Sequence, residues 1–107
     1  MGLAYDKLGQ LEKAITEYKE VLRIDSNSAD AHCALGIVMR NAEHREEAIA
    51  EFKIAIQIDE DHSLSHFGLG SAYMKLGNKA KAKYHFKRAL DLGHEEARPF
   101  LKKWWQS

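Results

Sequence analysis

The chain has 107 residues, 45% hydrophobic and 30% charged, with 16 basic side chains balancing 16 acidic ones. That length suits one domain, and 1 proline with 7 glycines argues against a disordered or loop-rich chain. No apolar run approaches the ~18–20 residues of a membrane helix, and no charged-then-apolar leader resembles a signal peptide. Cys33 is the only cysteine, which excludes an internal disulfide framework and fits a reducing, cytoplasmic compartment. The neutral total hides a gradient: residues 1–34 carry −2, residues 35–68 carry −4, and residues 69–107 carry +6. An acidic front and a basic end can favour head-to-tail contacts or an anionic partner.

In chain order, residues 1–8 and 11–24 read as two helices broken at Gly9-Gln10. Polar residues Asp25-Ser26-Asn27-Ser28 then offer capping side chains. Residues 29–41 carry an apolar stripe at Ala31, Leu35, Val38 and Met39, with Gly36 permitting close approach of a partner helix. After the break Asn41–His44, residues 45–58 keep the helical period through Ala48, Ile49, Phe52, Ala55, Ile56 and Ile58. A further polar turn at Asp59-Glu60-Asp61 leads to helices at 63–75 and 79–92, separated by Leu76-Gly77-Asn78. Such brief breaks allow only antiparallel neighbours. Gly93 can take the left-handed conformation that ends a helix. In the last segment, Glu95–Ser107, Pro99 fits a first helical turn. Phe100, Leu101, Trp104 and Trp105 form one stripe there, with Arg98, Lys102 and Lys103 turned away. One tryptophan is expected to pack and the other to stay half exposed as a possible interface anchor.

The elements repeat. Gly2, Gly36 and Gly70 are 34 apart, as are Ala14, Ala48 and Ala82, the aromatics Tyr18, Phe52 and Phe86, and two further columns. A period of this length means stacked units, none able to bury its apolar face alone. The pattern resembles the tetratricopeptide repeat (TPR): aromatic, two residues, Leu-Gly, two residues, Tyr, then Ala, three residues, Phe. The third copy reads His66, Leu69-Gly70, Tyr73, Ala82, Phe86 and the second His32, Leu35-Gly36, Met39, Ala48, Phe52. The first starts inside the motif with Met1-Gly2, Tyr5, Ala14 and Tyr18. The resemblance implies an all-α fold, antiparallel helix pairs stacked as a right-handed superhelix (an α-solenoid) with a C-terminal capping helix. Its divisions would be a truncated repeat at 1–28, repeats at 29–62 and 63–94, and the cap at 95–107. Two positions depart from the family: its first-helix Trp is His32 and His66, and its closing proline is Ser26, Glu60 and His94.

Catalytic chemistry is sparse. His62 and His66 are four apart near Asp59 and Asp61, but no third metal ligand arrives at a recognised spacing. Cys33 could pair with a histidine for nucleophilic catalysis, but lone buried cysteines are commonly inert, and no glycine-rich phosphate loop is present. No enzyme activity, cofactor or metal is therefore expected. Lys75, Lys79, Lys81, Lys83, Lys87 and Arg88, interleaved with Tyr84 and His85, make a basic run that invites a nucleic-acid reading. Around a helix they point in several directions, which weakens it.

What the resemblance implies is a scaffold or adaptor that binds a partner peptide or helix in a concave groove lined by the first helix of each pair. Its candidates are Leu3 and Asp6 on the first pair, and Asp30, Cys33, Ile37, Arg40 and Asn41 on the second. On the third they are Leu64, Phe67, Ser71, Met74 and Lys75. The family's carboxylate clamp for heat-shock chaperones maps to Leu3, Ala34, Leu64 and Gly68, none of which supplies its donor. The rival expectation is a homo-oligomer completed through the truncated first repeat.

Overall fold

The computed structural model describes the backbone of residues 3–105 and the side chains of residues 7–103. Among these, six α-helices follow one another: α1 (Leu3–Ile24), α2 (Ala29–Asn41), α3 (Arg45–Ile58), α4 (Ser63–Lys75) and α5 (Lys79–Asp91). A 3-10 turn at Glu95–Ala97 then leads into α6 (Arg98–Trp105). Each helix packs on the next, and α2 also lies against α4. The architecture is therefore a stack of antiparallel pairs, α2 with α3 and α4 with α5, continued by α6.

One expectation fails. The predicted break at Gly9-Gln10 is absent, and α1 runs straight through it as 22 residues. Gly9 stands 34 residues before Glu43 and 68 before Gly77, and in those later copies the position closes the first helix of the pair. Glu43 has φ 66° and Gly77 φ 82°, the left-handed conformation of a helix end. There the backbone N–H two positions into the turn returns to the helix: His44 N–H donates to Met39 O, and Asn78 N–H to Tyr73 O, both at 2.8–2.9 Å. At Gly9 the helix instead keeps its own ladder. Glycine in a helix costs only about 1 kcal/mol, less than releasing the several backbone groups a turn would free. Leu8, one residue before Gly9, is 47% exposed on α1.

The other boundaries have local causes. Ser28 Oγ accepts from Ala31 N–H to start α2, and Asn78 Oδ1 accepts from Lys81 N–H to start α5. α3 lacks a side-chain cap but places Glu46 and Glu47 in its first turn, where the helix dipole favours them. Asp25 and Asp59 each bend the inter-repeat turn by accepting from the backbone two residues on, at Asn27 and Asp61. Gly93, at φ 99°, ends α5 as expected.

The core runs along the second helices. Ala48, Phe52 and Ala55 of α3 are fully buried, as are Ala82, Phe86 and Ala89 of α5. The Phe52 ring fills the space left by two glycines on different helices. A Cβ at Gly36 would lie 2.9 Å from it and one at Gly68 2.5 Å. Phe86 occupies the same kind of seat against Gly70, at 2.8 Å. Each phenylalanine thus stabilises its seam by roughly 1.5–3 kcal/mol of burial, and each glycine is a matter of volume rather than backbone freedom.

The two departures from the repeat pattern prove to be one feature. His32 Nε2–H donates to the Ser26 carbonyl at 2.9 Å, and His66 Nε2–H to the Glu60 carbonyl at 3.0 Å. Ser26 and Glu60 are the positions where the pattern has proline. The histidine in place of the aromatic therefore ties down the turn that proline would otherwise stiffen.

Candidate functional site

The first helices α2 and α4, followed by α6, form one side of the stack, and the expected groove residues fall there in unequal states. Arg40, Asn41, Ser71 and Lys75 come together with Glu43 and Arg45 around a polar cleft of about 460 Å³ between the ends of α2 and α4. The half-buried Arg40 guanidinium has its pKa lowered by burial, with the Cys33 sulfur opposing that shift. Lys75 and Asn41 are exposed.

Met74 belongs to a neighbouring cleft, also about 460 Å³, bounded by Gly77, Lys79, Pro99, Phe100 and Lys103. Its floor is apolar and its rim carries two exposed ammonium groups. Counting along the first helices of the three pairs misses Phe100 and Lys103. The signal was present, because Phe100 stands 34 residues after His66 and so continues the aromatic column. Helix α6 occupies the place of the next first helix. Phe100 stacks on Phe86 with centroids 4.7 Å apart and planes at 3°, and Leu101 is fully buried.

One candidate is corrected. Cys33 is 1% exposed and faces the core, where burial pushes its thiol pKa up despite a hydrogen bond with Ser65. It cannot touch a groove ligand. Phe67 is half-buried in the seam with α6, its ring 4.6 Å from His94 and 5.5 Å from Phe86 by centroids. Ile37 is likewise drawn against the core. Of the rest, Leu64 stays 40% exposed near the start of α4. Asp30 is engaged with His62 Nε2 at 2.6 Å. The side chains of Leu3, Asp6, Trp104 and Trp105 lie outside the described residues.

The histidines serve the seams between helices. His62 takes Asp30 on one nitrogen and Ser65 Oγ on the other, 2.8 Å away, while His66 turns toward Glu60 and His85. Among the described residues, no group of three histidine, cysteine or carboxylate side chains could hold a metal ion. The basic run divides by direction: Lys75 and Lys79 border the groove clefts, Lys81 lies over the Tyr73 ring at 5.3 Å, and Arg88 faces the opposite seam. No described helix is long and apolar enough to cross a membrane.

Comparison with known proteins agrees with this geometry. A family model described as TPR repeat matches residues 2–41, and one described as tetratricopeptide repeat matches residues 63–96. No curated protein matches the chain in sequence. Among solved structures, the TPR domain of Arabidopsis OM64 superposes with a TM-score of 0.81 at 23% identity, over 94% of this chain and 87% of that one. MamA superposes at 0.76 and 21% identity, over 92% of this chain and 69% of its own. The second TPR of Spaghetti (RPAP3), bound to the HSP90 peptide SRMEEVD, superposes at 0.76 and 27% identity, over 83% and 82%. With both family models matching, and with these superpositions, the chain belongs to the tetratricopeptide repeat family, a fold that serves protein–protein interaction.

Proposed function

We propose that the chain binds an extended or helical segment of a partner protein along α2, α4 and α6, with an apolar anchor flanked by acidic side chains. The observation that carries this is the cleft at Met74 and Phe100, apolar below and rimmed by Lys79 and Lys103, beside a second cleft bearing Arg40 and Lys75. An apolar side chain entering the first would be desolvated, while neighbouring carboxylates would meet ammonium and guanidinium groups. The peptide on the Spaghetti domain, with one methionine and three acidic residues, has that general chemistry. A carboxylate clamp does not carry over. Ala34, Leu64 and Gly68 offer no donor, and Gly68 is already filled by the Phe52 ring.

A displayed peptide library selected against the whole chain tests this reading. The enriched peptides should share an apolar residue with Asp or Glu nearby. Met74→Glu should weaken the best one at least tenfold, with the far-ultraviolet dichroism unchanged. No enrichment, or equal binding by the variant, would overturn it.

Self-association is a second reading, favoured by the exposed Leu8, Val21 and Ile24 on α1, 47%, 50% and 83% accessible. A mass by light scattering that stays monomeric up to 100 μM would dispose of it.

A further inference from the structure

On the side of the stack away from the groove, a cleft of about 550 Å³ lies in the seam between α3 and α5. Lys53, Ile56, Gln57 and Glu60 border it from one side, and Tyr84, His85 and Arg88 from the other, with His66 at its base. The preceding repeat supplies an internal comparison. Moving back 34 residues, His66 becomes His32, His85 becomes Glu51, Arg88 becomes Ile54 and Tyr84 becomes Ala50. In that earlier seam the Glu51 carboxylate sits 2.7 Å from His32 Nδ1. The chain furnishes its own anion there. In the later seam the carboxylate is gone, and His85 Nδ1 lies 3.2 Å from His66 Nδ1 instead. A cation has also replaced the aliphatic Ile54. The inner columns stay constant through the same step: Ala48 and Ala82, Phe52 and Phe86, Ala55 and Ala89. Packing is kept while the α5 side of the seam loses a carboxylate and gains a cation; on the α3 side Gln57 and Glu60 stand where the preceding repeat has Arg23 and Ser26.

We propose that this seam is a second binding site, for a single oxyanion (a phosphate or a carboxylate) held by His85, Arg88 and Lys53. Hydrogen bonding fixes how His85 would serve it. His66 donates Nε2–H to the Glu60 carbonyl, so its Nδ1 is an acceptor and takes the His85 Nδ1–H. His85 Nε2 is left without a partner among the described residues. Protonated, it can donate to an anion. Burial first, then His66, Lys53 and Lys81, lower the His85 pKa to about 4. An anion in the cleft would offset the two lysine charges and favour the donor form. Two groups oppose it: Glu60 on the border, and Asp61, which stands 3.7 Å from the Arg88 guanidinium. The Asp61 side chain is 77% exposed, so this pair is weak and Arg88 can be recruited from it.

The test uses the full chain at pH 7, with imidazole nitrogen resonances followed during titration with sodium phosphate, with sodium acetate and with sodium chloride at constant ionic strength. The expected result is a saturable shift at His85 and His66, none at His44, and at least tenfold weaker response to chloride. Saturation by phosphate alone identifies a phosphoryl group as the natural ligand, and equal saturation by acetate identifies a carboxylate. His85→Glu and Arg88→Ile install residues that the preceding repeat already carries at these positions, so folding should survive, as thermal melting by circular dichroism would confirm. Each should abolish the saturable shift, read at His66. Linear shifts equal to those with chloride, or saturation that persists in His85→Glu, would overturn the proposal.

Discussion

His32 shows how one side chain can fill two roles of the repeat pattern at once. It fills an aromatic packing position, 8% exposed, and hydrogen-bonds the turn that precedes its own helix. Its other nitrogen meets Glu51, whose side chain is 19% exposed. His32→Phe would keep most of the volume and remove both contacts. It would leave the Ser26 carbonyl and a largely buried carboxylate without their donor, at a cost of about 1–3 kcal/mol. Urea unfolding should show the midpoint fall by a matching amount, and an unchanged midpoint would mean the histidine is only a ring. The position was legible in the sequence as a packing column, because spacing reports volume. The hydrogen bonds were not, because they depend on which way two ring nitrogens turn. Cys33 illustrates the same limit: its repeat position suggested the groove, yet it is 1% exposed and its sulfur lies in the core.

At the level of elements, the column Gly9, Glu43 and Gly77 separates what sequence spacing says from what the backbone does. The spacing asks for a turn at all three, and α1 declines it. Opposite substitutions should therefore stabilise neighbouring copies. Gly9→Ala sits in a continuous helix with nothing within 4 Å of an added Cβ, so it should gain about 0.5–1 kcal/mol. Glu43→Gly should also gain, by about 1 kcal/mol, because φ 66° penalises a residue with a Cβ. Gly77→Ala should lose a similar amount, since φ 82° is the same strained conformation for alanine. Thermal melting of the three variants checks all signs together. A loss from Gly9→Ala would mean that α1 folds back as a hairpin. The remaining helices were readable to within a residue at most ends, since α2 to α5 each have a polar start and a clear stop. The first helix was not, because among the described residues nothing lies within 4 Å of a Cβ added at Gly9, so no packing there rewards a turn.

Taken whole, the molecule distributes its charge between two faces and two seams, and this gives a stability that depends on acid. The groove clefts were partly legible: Met74, Arg40 and Lys75 follow from counting along first helices, whereas Phe100 and Lys103 required α6 to be read as the next copy. The seam pair His66 and His85 was not legible, since the two residues are 19 apart and their meeting depends on how α4 and α5 pack. That pair carries the acid response. With its folded-state pKa near 4 and an ordinary value of 6.5 when unfolded, His85 binds a proton more readily in the unfolded chain. Its contribution is therefore complete above pH 6.5 and is lost as the pH falls toward 4. His44 works in the opposite sense: its hydrogen bond to Glu12, the main cause, raises its pKa, so it stabilises below pH 6.5. It lies on the surface, 40% exposed, where screening keeps the effect small. The net result should be a loss on the order of 1–2 kcal/mol between pH 7 and pH 4.5 from His85, after allowance for its partial exposure. Replacing His85 with Gln removes the titrating group while keeping a polar side chain that can meet His66. Urea unfolding in chloride with a cationic buffer should then show a smaller difference between the two pH values than in the parent chain, and equal differences would place the acid sensitivity elsewhere.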